Sequence, residues 1–302
     1  MTSDSRRYLD PRVLDRIEGL DLKARLVVEG YISGLHKSPF RGFSVEFAEH
    51  REYVPGDDIR FLDWKVFGRS DRLYIKRYED ETNLEATLVV DVSKSMEYRG
   101  GGVEHSKLDY ARWAAAALAY LITQQQDAVG LVLFDDQVRR TLPTGNNPVH
   151  LKNVIGALDQ AAPGPTTGVA KALKQVSEAL RRKGLVLLFS DLLDDAHAIS
   201  EGLKAVRHRG HEVIVFHVLD RDETTFPFER LTRFLGLEGT DDVIADPEAL
   251  RAAYLAEVDD FTRKVRRTCV ANRIDYVPLD TAEPLGTTLS AYLAKRDARR
   301  RR

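Results

Sequence analysis

An aspartate and two serines at alternate positions directly follow the apolar run ATLVV. They are Asp91, Ser93 and Ser95, in the stretch DVSKS. An ionised carboxylate at the end of a buried strand costs several kcal/mol unless another group pairs with it. The sequence therefore predicts that Asp91 has a partner from another part of the chain.

Oxygen-bearing side chains recur at two later points of the chain. Thr166 and Thr167 lie in PGPTTGVAKAL, just before a predicted helix, and Asp191 ends the run LVLLFSD. In open α/β sheets, loops from different strands converge at the carboxyl ends of the strands. The side chains that we expect to meet there are Asp91, Ser93, Ser95, Thr167 and Asp191.

Hydroxyl and carboxylate oxygens are hard ligands, which suit Mg²⁺ or Mn²⁺ and not a soft metal. If Ser93, Ser95 and Thr167 bind the ion directly and the aspartates act partly through water, the charge of the ion is under-neutralised. The site would then attract an acidic side chain of a partner. The alternative is structural: Asp91 and Asp191 would cap the following turns and helices by accepting backbone N–H groups.

Apolar runs and helical patterns alternate from residue 84 onward. Strands are predicted at Ala86–Val92, Val129–Phe134, Leu185–Ser190, Val213–Leu219 and Tyr276–Leu279. Helices are predicted at Lys107–Gln126, Pro148–Gln160, Gly168–Arg182, Asp195–Arg209, Pro247–Ala271 and Leu285–Arg296. This alternation predicts a doubly wound, mostly parallel α/β sheet, because continuous apolar strands are typical of sheets buried on both faces.

Three segments lie outside this alternation. Residues 1–83 contain a predicted helix, Pro11–Ser33, followed by a part rich in Arg, Asp and aromatic residues, which we expect to pack on the main domain at 84–294. Residues 220–246 predict a small hairpin at the edge or rim of the sheet. The last segment, 295–302, is a basic tail that we expect to be a solvated, disordered end; the alternative is a weak site for an acidic partner or RNA.

The composition describes a folded globular protein without a strong electrostatic preference. Of the 302 residues, 43% are hydrophobic, and the formal net charge is −2. This balance argues against nucleic acid as a partner. No run approaches the roughly 18 apolar residues of a membrane span, and the single cysteine, Cys269, suits a reducing compartment. We therefore expect a cytoplasmic protein.

DVSKS with a later threonine and aspartate resembles the metal-ion-dependent adhesion site of von Willebrand factor A domains. The matching positions are Asp91, Ser93, Ser95, Thr167 and Asp191. The loop departs from the common Gly-Gly-Thr by having Pro165 and Thr166. The resemblance implies a von Willebrand factor A-like, Rossmann-like fold and a non-enzymatic role, in which bound Mg²⁺ or Mn²⁺ grips an acidic residue of a partner.

The segment at 40–81 is similar to a signature of the bacterial family of domain of unknown function 58. The signature reads G-x-x-x-E-F-x-x-x-R-x-Y-x-x-G-D-D-x-R-x-x-D-W and is matched by Gly42, Glu46, Phe47, Arg51, Tyr53, Gly56, Asp57, Asp58, Arg60, Asp63 and Trp64. With the insert at 220–246, the resemblance spans roughly residues 30–290. It implies a MoxR-type AAA+ ATPase as partner in a chaperone-like complex, together with an unidentified client protein.

Arginines, aspartates and aromatic residues alternate within 40–81. Such mixtures can form a salt-bridged collar that locks the extension onto the sheet. Aromatic-flanked arginines also make good interface residues, so a docking surface for the ATPase is the second hypothesis. Recognition of single-stranded nucleic acid is a third and minor one.

The enzymatic alternative is a Mg²⁺-dependent phosphatase of the haloacid-dehalogenase-like type. Asp91 would be the nucleophile, and the acidic pair in DLLDD, at 191–195, would hold the ion. These enzymes have a second aspartate, the general acid, two residues after the nucleophile. The residue here is Ser93, which cannot act as a general acid at neutral pH. We therefore favour the non-enzymatic interpretation.

Overall fold

The computed structural model describes residues 20, 23–25, 27–28, 44–54, 64–70, 72–81, 84–239 and 241–300. The contacts between residues divide the chain into two compact units. One unit is residues 40–84, and the other joins residues 1–39 to 85–302. The sequence-based domain boundary lies after residue 83 and keeps residues 1–83 in one segment. This domain assignment stays a prediction.

Residues 40–84 contain an antiparallel hairpin. Strands β1 (Ser44–Glu52) and β2 (Tyr74–Glu81) pair with each other, and the short helix α1 (Trp64–Ser70) lies between them in the chain. The Trp64 and Phe67 rings of α1 meet edge to face with their centroids 6.2 Å apart. Of the signature residues, Gly42, Gly56, Asp57, Asp58, Arg60 and Asp63 lie outside the described residues. The collar and docking hypotheses for this segment therefore stay predictions.

The second unit is built on a six-stranded sheet. Its strands are β3 (Glu85–Asp91), β4 (Ala128–Phe134), β5 (Val138–Gly145), β6 (Leu185–Ser190), β7 (Glu212–Leu219) and β10 (Asp275–Asp280). Their spatial order is β10-β7-β6-β3-β4-β5, and every neighbouring pair is parallel except β4 with β5. The prediction of a mixed α/β fold with a mostly parallel sheet is confirmed.

Helices surround the sheet. They are α2 (Lys107–Gln124), α3 (Pro148–Asp159), α4 (Val169–Ala179), α5 (Ala196–His208), α6 (Arg221–Thr225), α7 (Pro247–Ala271) and α8 (Leu285–Arg300). On one face, α4, α5 and α7 share a buried apolar cluster with side chains of β3, β4, β6 and β7. Helix α2, rich in buried alanines, packs on β3, β4, β6 and β7 beside α3 and α8. In the described ranges, no helix combines the length and apolar character needed to cross a bilayer.

Part of the predicted N-terminal helix falls within the described residues. Leu20, residues 23–25 and residues 27–28 are helical, and the rest of Pro11–Ser33 lies outside the described residues. Val27 and Val28 are buried. The Lys23 ammonium lies 4.5 Å from the ring centre of Trp113 in α2, in cation–π geometry.

Strand β5 has no counterpart among the predicted strands. Its sequence, VRRTLPTG, is mostly polar and contains Pro143, so it lacks the apolar run that marks a buried strand. The structure places β5 at the sheet edge, where such a composition is tolerated. The opposite edge strand, β10, also contains a proline, Pro278.

The basic tail predicted at 295–302 is helical up to Arg300, as the last part of α8. The reason lies in Arg296, which is 7% exposed and pairs with Glu212 at 2.8 Å and with Asp275 at 3.2 Å. This buried guanidinium ties the last helix to the ends of β7 and β10. The expectation of a solvated tail is therefore wrong for Arg296.

The insert at 220–246 begins with helix α6, which was not predicted, and continues into the predicted hairpin. Strands β8 (Thr232–Phe234) and β9 (Val243–Ala245) pair antiparallel in a sheet of their own. Phe226, Phe228, Phe234 and Tyr254 of α7 form an aromatic cluster, with ring centroids 4.6–5.7 Å apart. The side chain of Arg251 donates hydrogen bonds to the carbonyls of Phe226 and Phe228. These contacts attach the base of the hairpin to α7.

Candidate metal centre

The candidate site lies where the chain changes direction in the sheet. From β3 the chain passes through α2 to β4 on one side of β3, whereas β6 lies on the other side. This is a topological switch point, at which loops diverge and leave a crevice for ligands. Asp91 is the last residue of β3, and Asp191 directly follows β6. Both carboxylates therefore stand at the switch point.

Three hydroxyl groups form a connected row beside these strand ends. The Ser93 and Ser95 Oγ atoms are 3.0 Å apart, and Ser95 Oγ is 3.2 Å from Thr167 Oγ1. Ser93 and Ser95 are buried, and Thr167 is half-buried. The structure thus brings together the hydroxyls that the sequence assigned to one site, and Thr167 is the threonine of the TT pair that joins them.

Asp91 is wholly buried and hydrogen-bonded through both oxygens. Oδ1 accepts the Ser93 backbone N–H at 2.9 Å, and Oδ2 accepts the Ser190 hydroxyl at 2.6 Å. Burial, followed by the negative charge of Asp191, raises the pKa of Asp91 to about 7 despite these hydrogen bonds. A buried carboxylate with a raised pKa lacks positive compensation. Among the described residues Asp91 takes part in no ion pair.

The structural alternative for the strand-end aspartates is also realised. Each parallel strand ends in or is followed by an aspartate whose carboxylate accepts the N–H two residues on: Asp91, Asp135, Asp191, Asp220 and Asp280. This contact is an Asx turn, which shapes the loop leaving a strand. An Asx turn therefore does not distinguish Asp91 from the others. The row of hydroxyls at 93, 95 and 167 does.

Asp191 has a buried cationic partner that sequence reasoning missed. Lys107, the first residue of α2, has no exposed surface, and its Nζ lies 2.8 Å from Asp191 Oδ2 and 2.6 Å from Glu223 Oε1. Burial disfavours the charged lysine, but the two carboxylates outweigh this effect and raise its pKa above the ordinary value. Lys107 is therefore a charged residue that neutralises much of Asp191.

His217 of β7 contacts the backbone of Asp191. Its Nε2 lies 3.0 Å from the Asp191 carbonyl oxygen, and its Nδ1 lies 2.6 Å from the Tyr276 hydroxyl. Burial lowers the pKa of His217 to about 4, so the ring is neutral near pH 7. The histidine thus holds the backbone that directly follows β6.

The loop that carries Thr167 is pinned at both ends. Gly164 forms a parallel bridge with Ser93, and its N–H donates to the Val92 carbonyl at 2.6 Å. At the other end, a Cβ on Gly168 would lie 2.9 Å from Asp136 Cα and 3.1 Å from its carbonyl oxygen. The Pro165-Thr166 departure from the common loop sequence thus lies between two close backbone contacts.

We expect Gly168→Ala to displace this loop, since the clash is with backbone that cannot rotate away. Overpacking of this kind costs about 1–3 kcal/mol in stability, measurable by urea unfolding. Gly102→Ala is the matched control, because a Cβ there meets nothing within 4 Å. Equal unfolding midpoints for the two variants would contradict the close approach at Gly168.

A glutamate from the β8–β9 hairpin also enters the site. Glu238 Oε1 lies 3.2 Å from the Ser95 backbone nitrogen and 2.5 Å from Thr167 Oγ1, and Oε2 lies 3.0 Å from the Thr167 backbone nitrogen. Sequence reasoning missed Glu238, because 71 residues separate it from Thr167. The only local sequence feature that could have pointed to Glu238 is its place beside Gly239 in a predicted loop.

The acidic pair that the phosphatase alternative assigned to Mg²⁺ caps two helices. Asp195 is the N-cap of α5 and accepts the Ala198 N–H at 2.8 Å. Asp194 Oδ2 accepts the Ala170 N–H of α4 at 3.1 Å. Both carboxylates are thus engaged with backbone donors.

The donor set of the site fits a hard divalent cation. In the described part of the chain, no cluster of three or more His, Cys, Asp or Glu side chains is placed to hold a metal ion. The oxygens that could do so here are mainly hydroxyls, at Ser93, Ser95 and Thr167, together with the Asp91 carboxylate, which accepts the Ser93 N–H. Alcohol and carboxylate oxygens suit Mg²⁺ and Mn²⁺. A cation bound here would also offset the free-energy cost of burying the ionised Asp91 carboxylate.

Comparison with known proteins relates the chain to one family. The profile described as "Protein of unknown function DUF58" matches residues 49–264, more than half of the 302 residues. The uncharacterized proteins Mb1516 of Mycobacterium bovis and Rv1480 of Mycobacterium tuberculosis are each 29% identical over 221 residues, which are 72% of this chain and 68% of theirs.

Two solved structures have a similar backbone. The conserved hypothetical protein BatB from Bacteroides thetaiotaomicron is 16% identical, with a TM-score of 0.48 over 71% of this chain and 99% of that one. An aerotolerance-related membrane protein from Bacteroides fragilis is also 16% identical, with a TM-score of 0.48 over 72% and 99%.

Proposed function

The chain belongs to the DUF58 family, and we propose that it binds Mg²⁺ or Mn²⁺ at the switch point of its sheet and uses the ion to hold an acidic side chain of another protein. The observation that carries this proposal is the row of three hydroxyls at Ser93, Ser95 and Thr167 beside the buried Asp91. In this proposal the fold is of the von Willebrand factor A type and the site is its metal-ion-dependent adhesion site.

The charges around the site favour a ligand from outside. Lys107 already compensates Asp191, so Asp91 is the strand-end carboxylate that remains for the ion. The hydroxyls of Ser93, Ser95 and Thr167 orient the ion without neutralising it. A carboxylate from a partner would supply the missing negative charge, and this is the physical basis for an adhesive role.

The identity of the partners rests on the family resemblance. We propose a MoxR-type AAA+ ATPase as the partner in a chaperone-like complex that acts on a client protein in the cytoplasm. A location in a reducing compartment suits Cys269, which is buried as a free thiol. The role is non-enzymatic in this proposal. The phosphatase alternative gains no support from Asp194 and Asp195, since both cap helices.

The test is calorimetric titration of Mg²⁺ and Mn²⁺ into the wild-type protein and into Thr167→Val. Valine keeps the shape of threonine but removes the oxygen in contact with Ser95. We expect saturable binding to the wild type and at least about tenfold weaker binding to the variant, equivalent to ~1.4 kcal/mol.

Thr166→Val is the matched control, because it removes a hydroxyl from the neighbouring residue. We expect its affinity for Mg²⁺ to equal that of the wild type. Equal losses in both variants would mean that the loop, and not the Thr167 oxygen, matters. A phosphatase assay with para-nitrophenyl phosphate on the same samples tests the enzymatic alternative; turnover that is lost in Asp91→Asn would overturn the proposal.

A further inference from the structure

The carboxylate of Glu238 stands where the proposed acidic ligand would bind. It accepts hydrogen bonds from the backbone N–H groups of Ser95 and Thr167 and from the Thr167 hydroxyl, at 2.5–3.2 Å. Ser95 and Thr167 are two of the three hydroxyl residues of the site. A carboxylate held by these groups is chemically what a partner would bring.

The conformation of the β8–β9 hairpin places the Glu238 side chain in the site. Glu238 lies in the turn between β8 and β9, and Gly239 beside it has a φ of +76°, a conformation that favours glycine. Asp242 closes the turn by accepting from the Arg233 guanidinium at 2.7 Å and from the Gly236 N–H at 3.1 Å. The described part of the turn is therefore held by its own contacts as well as by those with the site.

The contacts that hold the Glu238 carboxylate in the site are hydrogen bonds. The neighbouring leucines are exposed, Leu235 by 64% and Leu237 by 38%. The tip of the hairpin is therefore not held by a buried core. Its base is held by the aromatic cluster around Phe226. Departure of the tip would therefore break hydrogen bonds and leave the aromatic contacts of the base in place.

We propose that Glu238 is an internal ligand, which occupies the adhesion site until the acidic side chain of a partner protein displaces it. This inference rests on the proposed function, because the displaced and the incoming carboxylates share one bound cation. Only the fraction of molecules with the hairpin tip out of the site is competent to bind, and the apparent dissociation constant rises in inverse proportion to that fraction. A tethered ligand acts at an effective concentration of millimolar order, which a free partner must overcome.

The test uses the hairpin's own sequence as the probe. A fluorescein-labelled peptide of residues 233–244, RFLGLEGTDDVI, is titrated with wild type and with Glu238→Ala in the presence of Mg²⁺. We expect the variant to bind the peptide at least about tenfold more tightly than the wild type, which corresponds to a competent fraction of about one tenth or less in the wild type. EDTA, or replacement of the peptide's glutamate by glutamine, should abolish binding.

Glu229→Ala is the matched control, since Glu229 is an exposed glutamate in the same insert. It should bind the peptide as the wild type does. Equal peptide affinity of the wild type and Glu238→Ala, with Mg²⁺ bound by both, would overturn the internal ligand but leave the proposed function intact. Failure of both proteins to bind Mg²⁺ by calorimetry would overturn the proposed function and, with it, this inference.

Discussion

Lys107→Met is expected to destabilise the protein by about 3–5 kcal/mol, the usual cost of leaving a buried charge without its partner. Lys107 has no exposed surface and holds both Asp191 and Glu223. Methionine fills a similar volume, so packing changes little while two carboxylates lose their cation. Thermal unfolding should show a fall in Tm on the order of 6–20 °C, at roughly 2–4 °C for each kcal/mol in large domains.

The matched control is Lys204→Met. Lys204 also pairs with a glutamate, at 2.7 Å from Glu201, but the two side chains are 40% and 56% exposed. Exposed pairs of this kind contribute little, so we expect a change within about 0.5 kcal/mol. Similar Tm values for Lys107→Met and Lys204→Met would contradict the assignment of Lys107 as a buried neutralising charge.

Asp91→Asn is expected to abolish Mg²⁺ binding while the metal-free protein keeps its stability. Asp91 is the carboxylate closest in sequence to the hydroxyl row. Removal of a residue that only supports a metal ligand already lowers metal affinity roughly 10–100-fold. Asparagine retains an oxygen for the Ser93 N–H. Because burial and Asp191 raise the pKa of Asp91 to about 7, the ionised carboxylate is disfavoured in the metal-free fold. A neutral amide should therefore not lower the metal-free Tm.

The same pair of proteins gives a second measurement. Excess Mg²⁺ should raise the Tm of the wild type, since a ligand that binds only the folded state stabilises it by about 2.7 kcal/mol at 100 times its dissociation constant. The Tm of Asp91→Asn should not respond. A Tm that rises equally in both proteins would place the ion elsewhere, and a large loss of metal-free stability in Asp91→Asn would favour a purely structural Asp91.

The strands and the hydroxyl row could be predicted because their signals are local. Apolar runs mark β3, β4, β6 and β7, and the rule that ligands bind at the strand ends joins Asp91, Ser93 and Ser95 to Thr167. Strand β5 carries no such run, because an edge strand need not be apolar. The end of α8 was missed because the burial of Arg296 depends on Glu212 and Asp275, which no pattern near the C-terminus reveals.

The charges that decide the electrostatics of the site could not be predicted. Lys107 begins a helix, where a lysine is normally solvated, and its partners lie 84 and 116 residues away in sequence. Glu238 reaches Thr167 and Ser95 from an insert that sequence reasoning described only as a hairpin. Such long-range pairings follow from the packing of loops and not from periodicity. The structure was needed to recognise them.

The two prolines at the outer strands limit how this protein can associate. Pro143 in β5 and Pro278 in β10 each remove an N–H donor from an edge of the six-stranded sheet. An added strand from another chain would find the ladder interrupted at either edge, which is a common protection against edge-to-edge aggregation. Growth of the six-stranded sheet by addition of a strand at either of these edges is thus disfavoured.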